Sequence, residues 1–124
     1  MPFITVGPPK AQVVEPEWFE RTFIFRLNGG GIHAEDGYQY GTLGVHPTLP
    51  NEKEQLVSVT HVPSKLSIMR VSTIEDGLKA TEMLWAQARD VWKLYDPDEV
   101  RAKLPPNIAT WIKECNKVKG LVPQ

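Results

Sequence analysis

The sequence predicts an α+β domain, with an antiparallel sheet of four to six strands in the N-terminal part and two main C-terminal helices packed on one face. Two observations carry the prediction. Apolar residues alternate in short runs as far as Val71, and from Ser72 onward they recur at helical spacing. The length of 124 residues, 41% of them hydrophobic and 23% charged, allows one core and leaves no room for a second. The chain therefore reads as a single domain: residues 1–10 an arm or edge strand, 11–71 the sheet and 72–119 the helices.

The arm ends at Gly7-Pro8-Pro9, which continues neither strand nor helix. Trp18 to Leu27 is the strongest strand signal. Phe19, Phe23, Phe25 and Leu27 fall on one side of it with Arg21 interrupting, and Trp18, Glu20, Thr22, Ile24 and Arg26 on the other. Apolar character on both faces predicts an interior strand. Asn28-Gly29-Gly30-Gly31 supplies a turn, and Asp36-Gly37 predicts a hairpin between Gly31–Glu35 and Tyr38–Val45. Pro47 to Glu54 is polar with two prolines and reads as a loop. Gln55–Val62 and Leu66–Val71 predict a second hairpin across Pro63-Ser64-Lys65.

Ser72-Thr73-Ile74-Glu75 matches a capping box. Ile74, Leu78, Thr81, Trp85, Ala88, Trp92 and Tyr95 follow at spacings of three and four, which predicts one helix to about Tyr95 with Trp85 buried in its apolar stripe. Asp96-Pro97 starts a short helix that must end before Pro105-Pro106. The last helix spans about Asn107 to Lys119, with Ile108, Trp111, Ile112, Cys115 and Val118 on its packed side and Gly120 as its C-cap. This layout resembles that of many small bacterial and phage proteins. The similarity is architectural and transfers no function.

Composition narrows the function classes. A net charge of -1 argues against a nucleic-acid binder, which usually shows a basic excess. No apolar run approaches the roughly 18 residues that cross a bilayer. The N-terminal residues show no secretory leader pattern. One cysteine and no Asn-x-Ser/Thr sequon fit a reducing, cytoplasmic setting.

No catalytic or metal motif emerges. The Asn28–Gly31 run lacks phosphate-loop spacing, and the histidines His33, His46 and His61 lack zinc-ligand spacing. No metal and no cofactor is therefore expected. An enzymatic reading would rest on His33, His61, Glu35 and Asp36, and Cys115 reads as a buried, inert thiol.

The unusual feature is aromatic: four tryptophans in a short chain. Trp, Tyr and Arg are favoured interface anchors, and an indole beside an arginine can stack an aromatic ligand. Trp18, Tyr38, Tyr40, Arg70, Arg89, Trp92 and Trp111 are the candidate ligand or partner residues. Tyr38, Tyr40 and Thr42 share one strand face, a flat platform if the helices leave it open. The expectation is a small non-enzymatic accessory, regulatory or host-interaction protein acting through protein contacts, as a homodimer. The alternatives are a binder of a small aromatic, nucleotide-like ligand and a small enzyme with a His/carboxylate site.

Overall fold

The computed structural model describes residues 15–48 and 53–123. The arm expected over residues 1–10 lies outside them, as do positions 49–52 of the expected loop. Five strands form one antiparallel meander in the order β1-β2-β3-β4-β5: β1 Trp18–Arg26, β2 Ile32–Tyr40, β3 Leu43–Pro47, β4 Val57–His61 and β5 Leu66–Val71. Helices α1 Ile74–Gln87, α2 Pro97–Lys103 and α3 Pro106–Val118 follow. This is the predicted α+β class, with strands first and helices second.

The first hairpin turns where expected, with Gly29, Gly30 and Gly31 all at positive φ. The second expected turn does not exist. Asp36 and Gly37 lie inside β2, paired with Thr22 and Arg21, and the chain reverses instead at Gly41-Thr42. Gly41 takes φ +61, and a Cβ there would meet the Trp85 ring at 2.4 Å. The β4–β5 hairpin forms as expected, with a bulge after Val59 that buries both Ile68 and Met69.

β1 is an edge strand, where an interior one was expected. Its apolar residues on two faces are not enclosed by strands on both sides. Phe23 is covered, whereas Phe19 and Ile24 stay exposed.

Thr73 caps α1 by accepting a hydrogen bond from the Asp76 amide at 3.1 Å, one residue later than the capping box suggested. Ser72 instead donates to the Lys119 carbonyl at 2.9 Å. α1 ends at Gln87, and a separate short 3-10 turn spans Val91–Lys93. Ala88 leaves helical geometry at φ -147, and the Trp92 indole folds back to donate to the Leu84 carbonyl at 2.8 Å. The Leu84 carbonyl thus accepts twice, from the Ala88 amide at 3.1 Å and from the indole. The continuous stripe to Tyr95 is broken, and Tyr95 lies exposed. In α3, Val118 is likewise exposed rather than packed, and Lys119, not Gly120, takes the left-handed cap position at φ 56.

α1 packs over β3, β4 and β5, and α3 packs on β5. The core joins Leu43, Val45, Val59 and Val71 of the sheet to Leu84, Trp92, Ile108 and Trp111. The two sheet edges differ. α3 closes the β5 edge, because Asn116 Oδ1 accepts from the Arg70 amide at 2.9 Å and the Lys119 carbonyl from the Ser72 amide at 2.8 Å. Among the described residues, nothing is bonded to the outer backbone edge of β1.

Candidate functional site

Strand alternation places Trp18, Tyr38 and Tyr40 on the helix-covered face, since Trp18 pairs with Tyr40 and Tyr38 with Val45. Trp18 and Tyr40 stack with centroids 4.8 Å apart, and Trp85 meets Tyr40 edge-on at 6.0 Å. The Trp18 indole donates to Glu82 at 3.2 Å, and Glu15 bridges the Tyr40 hydroxyl and the Arg89 guanidinium. The Arg89 hydrogen bond holds the Glu15 carboxyl below its ordinary range. Burial, followed by the Glu15 contact, pushes the Tyr40 phenol up.

The structure thus gathers Trp18, Tyr40 and Arg89 into one cluster. It serves as a brace between sheet and helix, because its polar groups are spent on one another. Trp85 is half-buried there, less enclosed than the stripe predicted. The expected Tyr38–Tyr40–Thr42 platform is divided: Trp85 covers Tyr40, Tyr38 stays exposed, and Thr42 donates to the Trp92 carbonyl at 2.7 Å. Trp92 and Trp111 are core residues, with indoles bonded to the carbonyls of Leu84 and Val122, so neither offers a face to a ligand. Arg70 sits at the other sheet edge, away from these aromatics. His61 is fully buried between the Ser64 hydroxyl and the Trp92 carbonyl. His33 and Glu35 bond each other at 2.6 Å. Asp36 points to the opposite face and accepts from Thr22 at 2.8 Å, so these residues form no shared centre. Among the described residues no group of three or more His, Cys, Asp and Glu is placed to hold a metal.

The other sheet face carries what sequence reasoning missed. Two glycines leave a bare strip there: a Cβ on Gly37 would meet the Val45 carbonyl at 2.2 Å, and one on Gly44 the Phe23 ring at 2.7 Å. Phe23 lies across this strip, and with Phe25 it packs on the His46 ring at centroid distances of 4.9 and 5.0 Å. Beside them opens a groove of about 450 Å3. Arg21, Phe23, Ile24, Phe25 and Arg26 form one wall, and His46, Thr60, Val62 and Lys65 the other.

A chain of hydroxyls runs along the groove floor. His46 Nδ1 lies 2.8 Å from the Pro47 carbonyl and Nε2 2.9 Å from Thr60 Oγ1. Thr60 Oγ1 lies 2.9 Å from Ser58 Oγ, which lies 3.1 Å from Ser67 Oγ. The carbonyl can only accept, so Nδ1 carries the proton and neutral Nε2 accepts from Thr60. Each hydroxyl has one proton, so Ser58 donates to Thr60 and Ser67 to Ser58. Burial lowers the His46 pKa and keeps the ring neutral, against the pull of Glu35. Two signals in the sequence point to this site after the fact: the alternation that puts His46, Ser58 and Thr60 on one face, and the glycines opposite them.

No helix among the described residues is long and apolar enough to cross a membrane. No protein-family model, curated protein or solved structure matches the chain.

Proposed function

We propose that the protein is a small non-enzymatic accessory or regulatory protein that works through protein contacts and assembles as a homodimer along β1. The observation that carries this reading is the nine-residue open edge of β1 together with the apolar surface around it. Of the seven large hydrophobic residues exposed among the described residues, five (Phe19, Ile24, Leu27, Ile32 and Tyr38) belong to the β1–β2 hairpin or its turn. Long apolar edge strands template further pairing unless charge, proline or a covering element blocks them. β5 is covered by α3; β1 has no proline and no covering element among the described residues, and its charges, Glu20, Arg21 and Arg26, are of both signs and flank the aromatic positions.

The β1 sequence complements itself. An antiparallel pair of β1 strands with the two-fold axis at Thr22 sets Phe19 of one copy opposite Phe25 of the other, Arg21 opposite Phe23 and Trp18 opposite Arg26. These are aromatic and cation–aromatic pairs, which stabilise facing strands. A two-fold interface of this kind is the commonest for soluble homo-oligomers.

Sedimentation equilibrium at micromolar concentration tests the assembly, and Thr22→Cys tests the register. Dimer mass, with a covalent dimer formed by the Thr22→Cys variant under mild oxidation, is the expected result. Thr22→Lys, which places two ammonium groups face to face on the axis, should weaken association by about tenfold or more. Monomer mass across the whole range overturns the reading.

A further inference from the structure

We infer that the groove between β1 and the β3–β4 strands is a binding site for a small aromatic anion, a carboxylate or phosphate carried on a flat apolar body. Three features support the assignment. The first is charge. Arg21, Arg26 and Lys65 line the groove, and the carboxylate on the same face, Glu35, lies behind His46 and is bonded to His33. Arg26 and Lys65 have no ion-pair partner among the described residues; Lys65 faces the groove from the turn, and Arg26, which alternates to the other face of β1, borders it only from the strand end. The second is surface. Phe25 presents a partly exposed ring, the buried Phe23 ring lies beneath Arg21 at 5.1 Å and forms the apolar base, and Val62 closes the far side. Apolar walls with a few convergent polar groups are the general form of a small-molecule site.

The third is the hydroxyl chain. Thr60 gives its proton to His46 and receives one from Ser58, so it reaches the groove with an oxygen lone pair and no free donor. An anion is therefore held by the cations at the rim, while the apolar body lies against the rings and the half-covered Thr60. Lys65 also occupies the left-handed region at φ 62, where a side chain is disfavoured relative to glycine. That conformation closes the β4–β5 turn, where the Lys65 amide donates to the Val62 carbonyl at 3.3 Å, and the turn sets Lys65 at the lining of the groove. Pairing along the outer edge of β1 would bring a second copy beside Arg21, Phe25 and Arg26 at the β1 wall of the groove, so the two proposals share residues and the titration reads the assembly present in solution.

Titration of the full chain with 2-naphthoate, followed by amide chemical shifts, tests it. Saturable shifts confined to residues 21–26, 44–46 and 58–65 are expected. The neutral 2-naphthylmethanol and inorganic phosphate alone should each bind at least about tenfold more weakly, since each lacks one half of the recognition. Arg26→Gln and Lys65→Gln should each lower the naphthoate affinity by roughly threefold to tenfold while leaving the far-UV circular dichroism unchanged. Phenyl phosphate in place of naphthoate separates a phosphate ester from a carboxylate as the preferred anion. Equal affinity for the acid and the alcohol, or shifts centred elsewhere, overturns the proposal. So does a full chain that binds none of the probes.

Discussion

The tryptophans illustrate how far a single residue's fate depends on its partner atoms. Trp92 is fully buried and its indole N–H meets the Leu84 carbonyl, so truncation removes packing and one hydrogen bond, while the Ala88 amide still serves that carbonyl. Trp92→Ala should cost about 3–5 kcal/mol in urea denaturation, and a loss below about 1 kcal/mol would contradict its core role. Trp85 is only half-buried, and its indole nitrogen is buried with no hydrogen-bond partner among the described residues. Trp85→Phe removes that unpaired donor and keeps a ring against Tyr40, so its cost should stay within about 1 kcal/mol. His46 and His61 are both held below the ordinary histidine range by burial. The unfolded chain therefore takes up protons first on acidification. Their contribution is whole above about pH 6.5 and is lost as the pH falls below that toward the lower folded-state values. The urea midpoint should be level at neutral pH and decline through the mildly acidic range; a midpoint that holds level to about pH 5 contradicts this. Cys115 is buried, and burial raises its thiol pKa. A charged thiol reagent should label the native protein far more slowly than the denatured chain, because the thiolate is the reactive form.

At the scale of elements, local signals located the ends of structure better than its continuity. Thr73 does cap α1, and Thr73→Ala should lower stability by about 1 kcal/mol. The shift from the Ser72 register has a tertiary cause, since Ser72 is drawn to the end of α3. The break at Ala88 carries no glycine or proline to announce it. It forms because burying Trp92 beneath α1, against Leu84, outweighs two further helical turns exposed to water. Asp36-Gly37 is a hairpin signal in isolation. Here Gly37 is used for close approach, its α-carbon lying against the Val45 carbonyl and His46, and the turn falls to Gly41, which lies against Trp85. Gly41→Ala combines a positive φ with a collision on that ring and should cost about 2–4 kcal/mol. A loss under about 1 kcal/mol would mean that the turn and the indole can move apart at little cost.

For the whole molecule, the arrangement of helices decides which surfaces remain for function. α1 and α3 cover β3 to β5 and close one edge; among the described residues this leaves β1 with an unpaired backbone edge and the β1–β2 hairpin with most of the exposed apolar side chains. If β1 joins two copies, unfolding is coupled to dissociation, and the melting temperature should rise with protein concentration. A concentration-independent melting temperature across a hundredfold range, together with monomer mass, would mean that the edge is open in solution. The fold class, the two main helices, the first turn and the β4–β5 hairpin were legible in the sequence, because alternation, helical spacing and capping are local consequences of backbone geometry. Of the candidate residues, Trp18, Tyr40 and Arg89 do come together, but as a structural brace; Trp92 and Trp111 went to the core. The groove was legible only in fragments, as the shared face of His46, Ser58 and Thr60 and the glycines opposite them. Its parts come from β1, β3, β4 and the turn that follows, separated by up to 44 positions between Arg21 and Lys65. Their meeting depends on strand order, on which edge the helices leave bare, and on two glycines that let a phenylalanine ring cross the sheet. The sequence by itself determined which faces are apolar and where most elements begin. Only the tertiary structure decided which of those faces are covered, because covering a face is a contact between segments far apart in the chain.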